Sequence, residues 1–219
     1  MTFLSGDLGG TKTLISIYGD NDNFKKLHQH KYISQEWNSL EDIIYHFLGN
    51  LPSNISPPTS GCVGVAGRVI NGKSTITNLS WDLNEDQICA KLGLNKFKLE
   101  NDFSVLIHSL PFLKRNQYKE IQTSNRENPR GSMVAIIGAG TGLGIARGFI
   151  SKNQTIVLPS EGGHREFSPR SEEEWQIAQW VKKELNLKRL SLERIVSGRG
   201  LGLIAKWRLS LADVKNHPL

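Results

Sequence analysis

The chain has 219 residues, of which 38% are hydrophobic and 22% charged. This is an ordinary globular composition, and the length allows one large domain or two modest ones. It excludes a disordered tail, a collagen and a coiled coil, and no apolar run approaches the roughly 20 residues of a membrane span. The N-terminus lacks a secretory signal pattern. Because Cys62 and Cys89 have no metal-ligand spacing, we expect two reduced thiols in a cytoplasmic protein.

The formal net charge of +6 is unevenly distributed. Residues 1–110 carry 9 Lys/Arg and 11 Asp/Glu, a net charge of −2, whereas residues 111–219 carry 18 and 10, a net charge of +8. A basic half suits nucleic acid, but these cations stand in ones and twos, as in Lys182-Lys183, without interleaved aromatic residues. Nucleic-acid binding is therefore the weaker interpretation, and a polyanionic small ligand accounts for the excess as well.

The first half of the chain predicts a mixture of strands and helices. Two apolar, β-branched segments, 2–8 and 11–18, flank Gly9-Gly10, which predicts a β-hairpin. Ser39, with Asp42 three residues later, predicts the start of a helix. The other predicted elements are strands over 24–33, 61–66 and 97–101, a short strand pair around Gly72, a helix that begins after Asn84 and ends at Gly93, and an apolar helix over 103–113.

A polar stretch, 116–130, is the best boundary in the chain and predicts two domains, 1–113 and 114–219. The pattern of strand, glycine turn and returning strand at 5–17 recurs at 136–149 as a weak internal repeat. The class is therefore mixed α/β, with antiparallel opening strands. The second half adds predicted strands over 133–137 and 144–150, a long helix over 172–185 capped by Ser171, and short helices around 192–196 and 201–209.

Two glycine-rich turns are candidates for binding phosphate. The first, Gly6–Thr13, nearly matches a P-loop, but Thr11 replaces a required glycine and a strand pattern follows where a P-loop opens a helix. The second, Gly138–Gly144, resembles a dinucleotide fingerprint with its third glycine displaced, again before a strand. One such turn is often only structural, but two can surround phosphate oxygens with backbone N–H groups. The candidates are Asp7, Gly9, Gly10 and Thr11 in the first turn and Gly138, Gly140, Thr141 and Gly142 in the second, with Asp7 also a candidate Mg²⁺ ligand.

Further polar side chains could bind a substrate or act on it. Asn101 and Asp102 end a predicted strand, where α/β sheets place ligands, and Asp102 is either the N-cap of the next helix or a base that accepts a hydroxyl proton. Gly162-Gly163 lets Glu161 and His164 turn toward one small ligand; the alternatives are a solvated glutamate and a core histidine. Glu193 by itself indicates only a surface helix residue.

Six motifs in order resemble a bacterial-type glucokinase of the hexokinase/actin-like ATPase superfamily. They are Asp7-Leu-Gly-Gly-Thr, Glu100-Asn-Asp-Phe, Gly138-Ala-Gly-Thr-Gly-Leu-Gly, Glu161-Gly-Gly-His, Ser171-Glu-Glu-Glu and Glu193-Arg-Ile-Val-Ser-Gly. The resemblance runs from residue 3 to about residue 208 and implies two RNase H-like domains that close over glucose and ATP. The zinc-binding cysteine cluster of the related ROK sugar kinases is absent from the sequence, which favours the glucokinase branch.

The resemblance also implies a role for each candidate residue. Asp102 would be the catalytic base, with Asn101, Glu161, His164 and Glu193 as ligands of the glucose hydroxyls, and the two turns would hold the phosphates of Mg-ATP. Family members continue beyond the equivalent of Leu219, through an adenosine-binding glycine motif and more of the second domain, so we expect that domain to be incomplete. We therefore expect a weak or inactive kinase, an exposed apolar sheet face and a possible homo-oligomer. The alternative function is a glucose sensor that binds the sugar without phosphorylating it.

Overall fold

The computed structural model describes residues 1–20, 24–76, 78–122, 131–158 and 160–211. The chain divides into two compact units, unit 1 (Met1–Val105) and unit 2 (Leu106–Leu219). This division falls inside the helix Asp102–Ser109, a few residues before the boundary that the sequence predicts after Leu113. Residues 123–130 of the polar stretch lie outside the described residues. Cys62 and Cys89 are free thiols. Within the described ranges, no helix is long and apolar enough to cross a membrane.

Unit 1 is built on one five-stranded sheet of order β3-β2-β1-β4-β7. The opening three strands form an antiparallel meander, while β4 and β7 pair parallel to β1 along its other edge. The elements are β1 (Thr2–Leu8), β2 (Lys12–Gly19), β3 (Lys26–Ile33), α1 (Leu40–Gly49), β4 (Ser60–Val65), β5 (Lys73–Ile76), β6 (Trp81–Asn84), α2 (Glu85–Leu92), β7 (Lys96–Asn101) and α3 (Asp102–Ser109), with a 3₁₀ helix at Ser34–Glu36.

Local capping signals place α1 and α2 where the sequence predicts them, whereas the helix predicted over 103–113 is α-helical over Asp102–Ser109 and continues as the 3₁₀ helix Leu110–Phe112. The Ser39 hydroxyl accepts a hydrogen bond from Asp42 N at the start of α1, and Asn84 accepts from Asp86 N and Gln87 N at the start of α2. Gly93 ends α2 in the left-handed conformation, with φ of +66°. The apolar faces of both helices pack on the sheet in one core.

The short strand pair differs from the prediction. Asn71 and Gly72 do form a tight turn, with φ of +50° and +70°, but it closes only an isolated bridge between Ile70 and Lys73. The observed pair is β5 with β6, whose connection lies further along the chain. The prediction of a strand pair around Gly72 is therefore wrong, because the turn signal there belongs to an isolated bridge.

Unit 2 repeats the meander and then becomes helical. Its antiparallel sheet has the order β10-β9-β8, and β10, a strand of four residues, was missed in the sequence. Ser171 and Ser197 cap the two long helices, whose apolar residues form a separate cluster. The elements are β8 (Ser132–Ala139), β9 (Leu143–Ile150), β10 (Thr155–Leu158), α4 (Glu172–Glu184) and α5 (Gly198–Ser210), with 3₁₀ helices at Leu110–Phe112, Arg115–Gln117, Gly162–His164 and Leu192–Arg194.

Candidate functional site

The first glycine turn closes the hairpin between β1 and β2. Leu8 pairs with Thr13, and Gly9 N donates to Lys12 O at 3.0 Å, so Gly10 and Thr11 occupy the tip, one residue beyond the predicted turn. Neither glycine adopts a positive φ. These two glycines are therefore not needed for an unusual backbone conformation. Because they have no side chains, the backbone of the turn stays accessible, and its N–H groups can bind an anion.

Ser34, which sequence reasoning missed, follows β3 directly and stabilises this turn. Its hydroxyl donates to Gly9 O at 2.8 Å and shares a buried 2.9 Å hydrogen bond with the Thr13 hydroxyl, while Ser34 N donates to Thr11 O. Ser34 itself is fully buried. The sequence around Ser34 does not predict its contact with Thr13, which lies 21 residues away. The contact follows only from the pairing of β2 with β3.

Asp7 lies at the carboxyl end of β1 with its carboxylate exposed and without a hydrogen bond or ion pair to any described residue. In the parallel part of the sheet, Asp7 pairs with Gly64 and Gly64 pairs with Glu100. A Cβ on Gly64 would lie 3.8 Å from the Cα of Asp102. Because Gly64 has no side chain, the space between Asp7 and Asp102 on this side of the sheet is not filled by a residue of β4.

The Asn101-Asp102 pair stands at the junction of β7 and α3, and the structure corrects which residue caps the helix. Asn101 Oδ1 accepts hydrogen bonds from Phe103 N and Ser104 N, both at 3.1 Å, so Asn101 is the capping residue. Its amide nitrogen donates to Gly67 O and to Asp102 Oδ1, each at 3.0 Å. Asn101 thus orients the carboxylate of Asp102.

The Asp102 carboxylate is half-buried, and only one of its two oxygens accepts hydrogen bonds from the described residues. Oδ1 accepts from Phe103 N and from Asn101, while Oδ2 has no partner among the described residues. Burial raises the pKa of Asp102, and the nearby charge of Asp7 raises it further, against the lowering effect of the hydrogen bonds that the carboxylate accepts from Phe103 N, from its own N–H and from Asn101. Such a carboxylate is a better proton acceptor than an exposed one, with a fixed orientation.

The second glycine turn joins β8 to β9 and is held by a segment far along the chain. Ala139 pairs with Leu143, and Gly140 N donates to Gly142 O at 2.8 Å. Glu193 Oε2 accepts a hydrogen bond from Leu143 N at 3.1 Å, and a Cβ on Gly142 would collide with that carboxylate. Gly198 N also donates to Gly140 O at 2.8 Å. Glu193 is therefore more than a surface helix residue, because it fixes the turn.

Glu161 precedes the short 3₁₀ helix Gly162–His164, and His164 is its last residue. His164 Nε2 lies 3.7 Å from Glu161 Oε2, and both side chains are more than half exposed, which excludes the core-histidine alternative. The backbone of Leu143 leaves no room for a side chain on Gly163. Leu192 N donates to Arg165 O at 2.8 Å, so this helix lies beside the one that carries Glu193.

The candidate residues thus fall into two sets. Asp7, Gly9, Gly10, Thr11, Asn101 and Asp102 lie in unit 1, whereas Gly138, Gly140, Thr141, Gly142, Glu161, His164 and Glu193 lie in unit 2. Among the described residues, no group of three or more His, Cys, Asp or Glu side chains could hold a metal ion. A magnesium ion held partly by substrate phosphates needs only one or two protein carboxylates, and the exposed carboxylate of Asp7 fits that requirement.

Comparison with known proteins decides the family. The sequence model of the family described as Glucokinase matches residues 4–218. The chain belongs to the glucokinase family. The glucokinase of Nostoc punctiforme is 34% identical over 202 residues, which cover 90% of this chain and 58% of the relative. The chain therefore spans about three-fifths of the length of the curated glucokinases that it matches.

Solved structures confirm the fold class of this glucokinase-family chain. A glucokinase from an Antarctic psychrotroph, 26% identical, matches with a TM-score of 0.81 over 100% of this chain and 67% of that one. The glucokinase of Balamuthia mandrillaris, solved in complex with glucose and 23% identical, matches with a TM-score of 0.65 over 98% and 64% of the two chains. The prediction of an RNase H-like, actin-like α/β fold is therefore confirmed.

Proposed function

We propose that this chain carries the catalytic base, the glucose ligands and the phosphate turns of an ATP-dependent glucokinase. The observation that supports this most is Asp102, a half-buried carboxylate at the carboxyl end of a parallel strand, with one oxygen held and the other without a partner among the described residues. That position in an α/β sheet is where ligands bind, and the chain belongs to a family named for glucose phosphorylation.

In the proposed reaction, Asp102 Oδ2 accepts the proton of the glucose 6-hydroxyl while the hydroxyl oxygen attacks the γ-phosphorus of ATP. The O–P bond to glucose forms as the bond to the departing ADP oxygen breaks, and the proton remains on Asp102. Asn101 holds Oδ1 throughout, so the free oxygen keeps its direction. Positioning and electrostatics supply most of the rate in phosphoryl transfer.

The remaining candidates bind the substrates in this proposal. Glu161, His164 and Glu193 form hydrogen bonds with glucose hydroxyls, and a sugar that lacks one of these hydroxyls loses one of these bonds. Glu193 uses Oε2 on Leu143 N, which leaves Oε1 for the sugar. Asn101 has both amide hydrogens engaged already, so its proposed contact with glucose requires one of them to be shared.

The two turns present backbone N–H groups to the phosphates of ATP in this proposal. Gly9 N and Gly140 N already donate within their turns, so the donors are those of Gly10 and Thr11 in the first turn and of Thr141 and Gly142 in the second. Magnesium, when bound with ATP, neutralises phosphate charge, and Asp7 is the residue that would hold it. A cytoplasmic location and a homo-oligomer are further predictions of the sequence.

A sugar panel combined with a turnover assay tests this function. We expect glucose to raise the melting temperature of the 219-residue chain more than fructose or ribose does, since a ligand of the folded state stabilises it. We also expect glucose 6-phosphate to form when the chain is fused to the part of the Nostoc punctiforme glucokinase that follows the matched region. Binding without turnover in this fusion would indicate the sensor instead, and equal shifts across the panel would contradict the sugar site.

A further inference from the structure

The side chain of Asn78, which the sequence analysis did not include among its candidates, lies against the tip of the first glycine turn. A Cβ on Gly10 would be 3.3 Å from Asn78 Nδ2 and 3.4 Å from Asn78 Cβ. Asn78 is exposed, and its amide group forms no hydrogen bond with any other described residue. A free side-chain donor therefore stands directly beside the turn.

The hairpin of β5 and β6 holds Asn78 in this place. Asn78 lies in the connection between the two strands, and Leu79 N donates to Ile76 O at 3.0 Å within it. Ile76 and Trp81, the residue pair next to this connection, are 4% and 6% exposed and belong to the core of unit 1. Local opening is rare where buried contacts anchor a segment, so this pair keeps Asn78 beside Gly10.

The hydrogen bonds of the turn itself favour an anion as its ligand. Gly9 O and Thr11 O both accept hydrogen bonds from Ser34, so these acceptors are engaged. Gly9 N donates to Lys12 O, whereas Gly10 N and Thr11 N form no backbone hydrogen bond with a described residue. The turn therefore offers free donors, and the amide of Asn78 adds one more. Several donors within one turn suit the many acceptor oxygens of a phosphate chain.

The tip of this turn also lies at the edge of the sheet that carries Asp102. Because β1, β4 and β7 run parallel, their carboxyl ends meet at one edge. Gly10 follows β1 and Asp102 follows β7, so both stand at that edge, where α/β sheets bind their ligands. A phosphate held at the turn is thus on the same edge as the proposed base, as phosphoryl transfer requires.

We propose that Asn78 is a further phosphate-binding residue, whose side-chain amide donates a hydrogen bond to the phosphate chain of ATP beside Gly10 N and Thr11 N. This inference rests on the proposed function, because it takes the first turn to hold the phosphates of ATP. Asn78 is uncharged, so it contributes a directed hydrogen bond and leaves the neutralisation of phosphate charge to magnesium.

The test changes Asn78 in the fusion with the Nostoc punctiforme segment and measures the affinity for ATP by calorimetry without glucose. Asn78→Ala should weaken ATP binding about tenfold, because a hydrogen bond to a charged group is lost, and Asn78→Asp should weaken it more, because a carboxylate repels phosphate. The KM for glucose should stay unchanged in both variants. The matched control is Asn95→Asp, since Asn95 is exposed at the amino end of β7, the other edge of the sheet, and it should leave the ATP affinity unchanged.

A double-mutant cycle tests the contact itself. Gly10→Ala places a Cβ 3.3 Å from Asn78 Nδ2 and should displace the amide, so this variant should also bind ATP more weakly. In the Asn78→Ala background the added methyl group finds room, and Gly10→Ala should cause little further loss. Losses that add in full would contradict the proposed contact.

Several outcomes would overturn the proposal. They are an unchanged ATP affinity in both Asn78 variants, an equal loss from Asn95→Asp, a loss of glucose affinity instead, and a lower melting temperature that accounts for the loss. An active parent fusion with any of these results overturns the role of Asn78 alone. A parent fusion that binds ATP without turnover contradicts the kinase, while the calorimetry still decides the role of Asn78. A parent fusion that does not bind ATP contradicts both.

Discussion

Gly142→Ala isolates the link between the second glycine turn and Glu193. A Cβ at this position would collide with Glu193 Oε2, so the carboxylate must move away and release the 3.1 Å hydrogen bond from Leu143 N. Hydrogen bonds to charged groups contribute about 1.5–3 kcal/mol, and partial exposure of Glu193 favours the lower value. We expect a loss of about 1.5 kcal/mol in the free energy of unfolding, which lowers the melting temperature by about 3–6 °C for a chain of this size.

The assay is urea and thermal denaturation of a double-mutant cycle. Glu193→Ala removes the same hydrogen bond, so the double variant should be little less stable than either single variant. Gly140→Ala is the matched control in the same turn, because nothing lies within 4 Å of its added Cβ among the described residues and it should be nearly neutral. Additive losses in the cycle, or an equal loss from Gly140→Ala, would refute the reasoning.

Three further outcomes follow from the same contacts. In a urea titration, Ser34→Ala should lower the free energy of unfolding by about 1–2 kcal/mol, because Gly9 O and Thr13 lose a buried hydrogen-bond partner. The control Ser109→Ala removes an exposed hydroxyl and should have little effect. Asp102→Asn should raise the melting temperature at pH 7. Because the pKa of Asp102 is raised in the folded state, the stabilising contribution of this residue is complete below its unfolded-state pKa and is lost as the pH rises through its folded-state pKa. The advantage of the variant should therefore vanish in acid, and a melting temperature at pH 7 equal to that of the parent would contradict this reasoning. The isolated 219-residue chain should form glucose 6-phosphate far more slowly than the roughly 1–100 per second typical of kinases, because ATP loses binding energy away from the reacting phosphate; turnover in that range would contradict the expectation.

Short-range signals in the sequence were sufficient for much of the fold. Ser39, Asn84 and Ser171 cap helices where a polar residue precedes an apolar face, and Gly93 ends one, because each effect involves only neighbouring residues. The hairpins of both units also follow from local patterns. The four-residue strand β10 was missed because so short a segment has too little alternation to distinguish it from a loop.

The details of the site depend on contacts that connect distant parts of the chain. The sequence made Asp102 the candidate cap, but the structure gives that task to Asn101, whose side chain also reaches Gly67 O, 34 residues away. Glu193 meets Leu143 across 50 residues. No spacing rule could reveal these contacts. The sugar-ligand roles of Glu161, His164 and Glu193 came from the resemblance to glucokinases and stay predictions.

The most direct test of the proposed function removes the Asp102 carboxylate from a polypeptide that can turn over. Asp102→Asn is introduced into the fusion of this chain with the remaining Nostoc punctiforme segment, and glucose 6-phosphate formation is measured beside glucose affinity. We expect turnover to fall by about two to four orders of magnitude, the usual effect of losing a general base, while the affinity for glucose changes far less. Asp82→Asn, at an exposed carboxylate bonded to Thr75, is the control and should retain turnover. Turnover equal to that of the parent fusion in the Asp102 variant would contradict the assignment of the base.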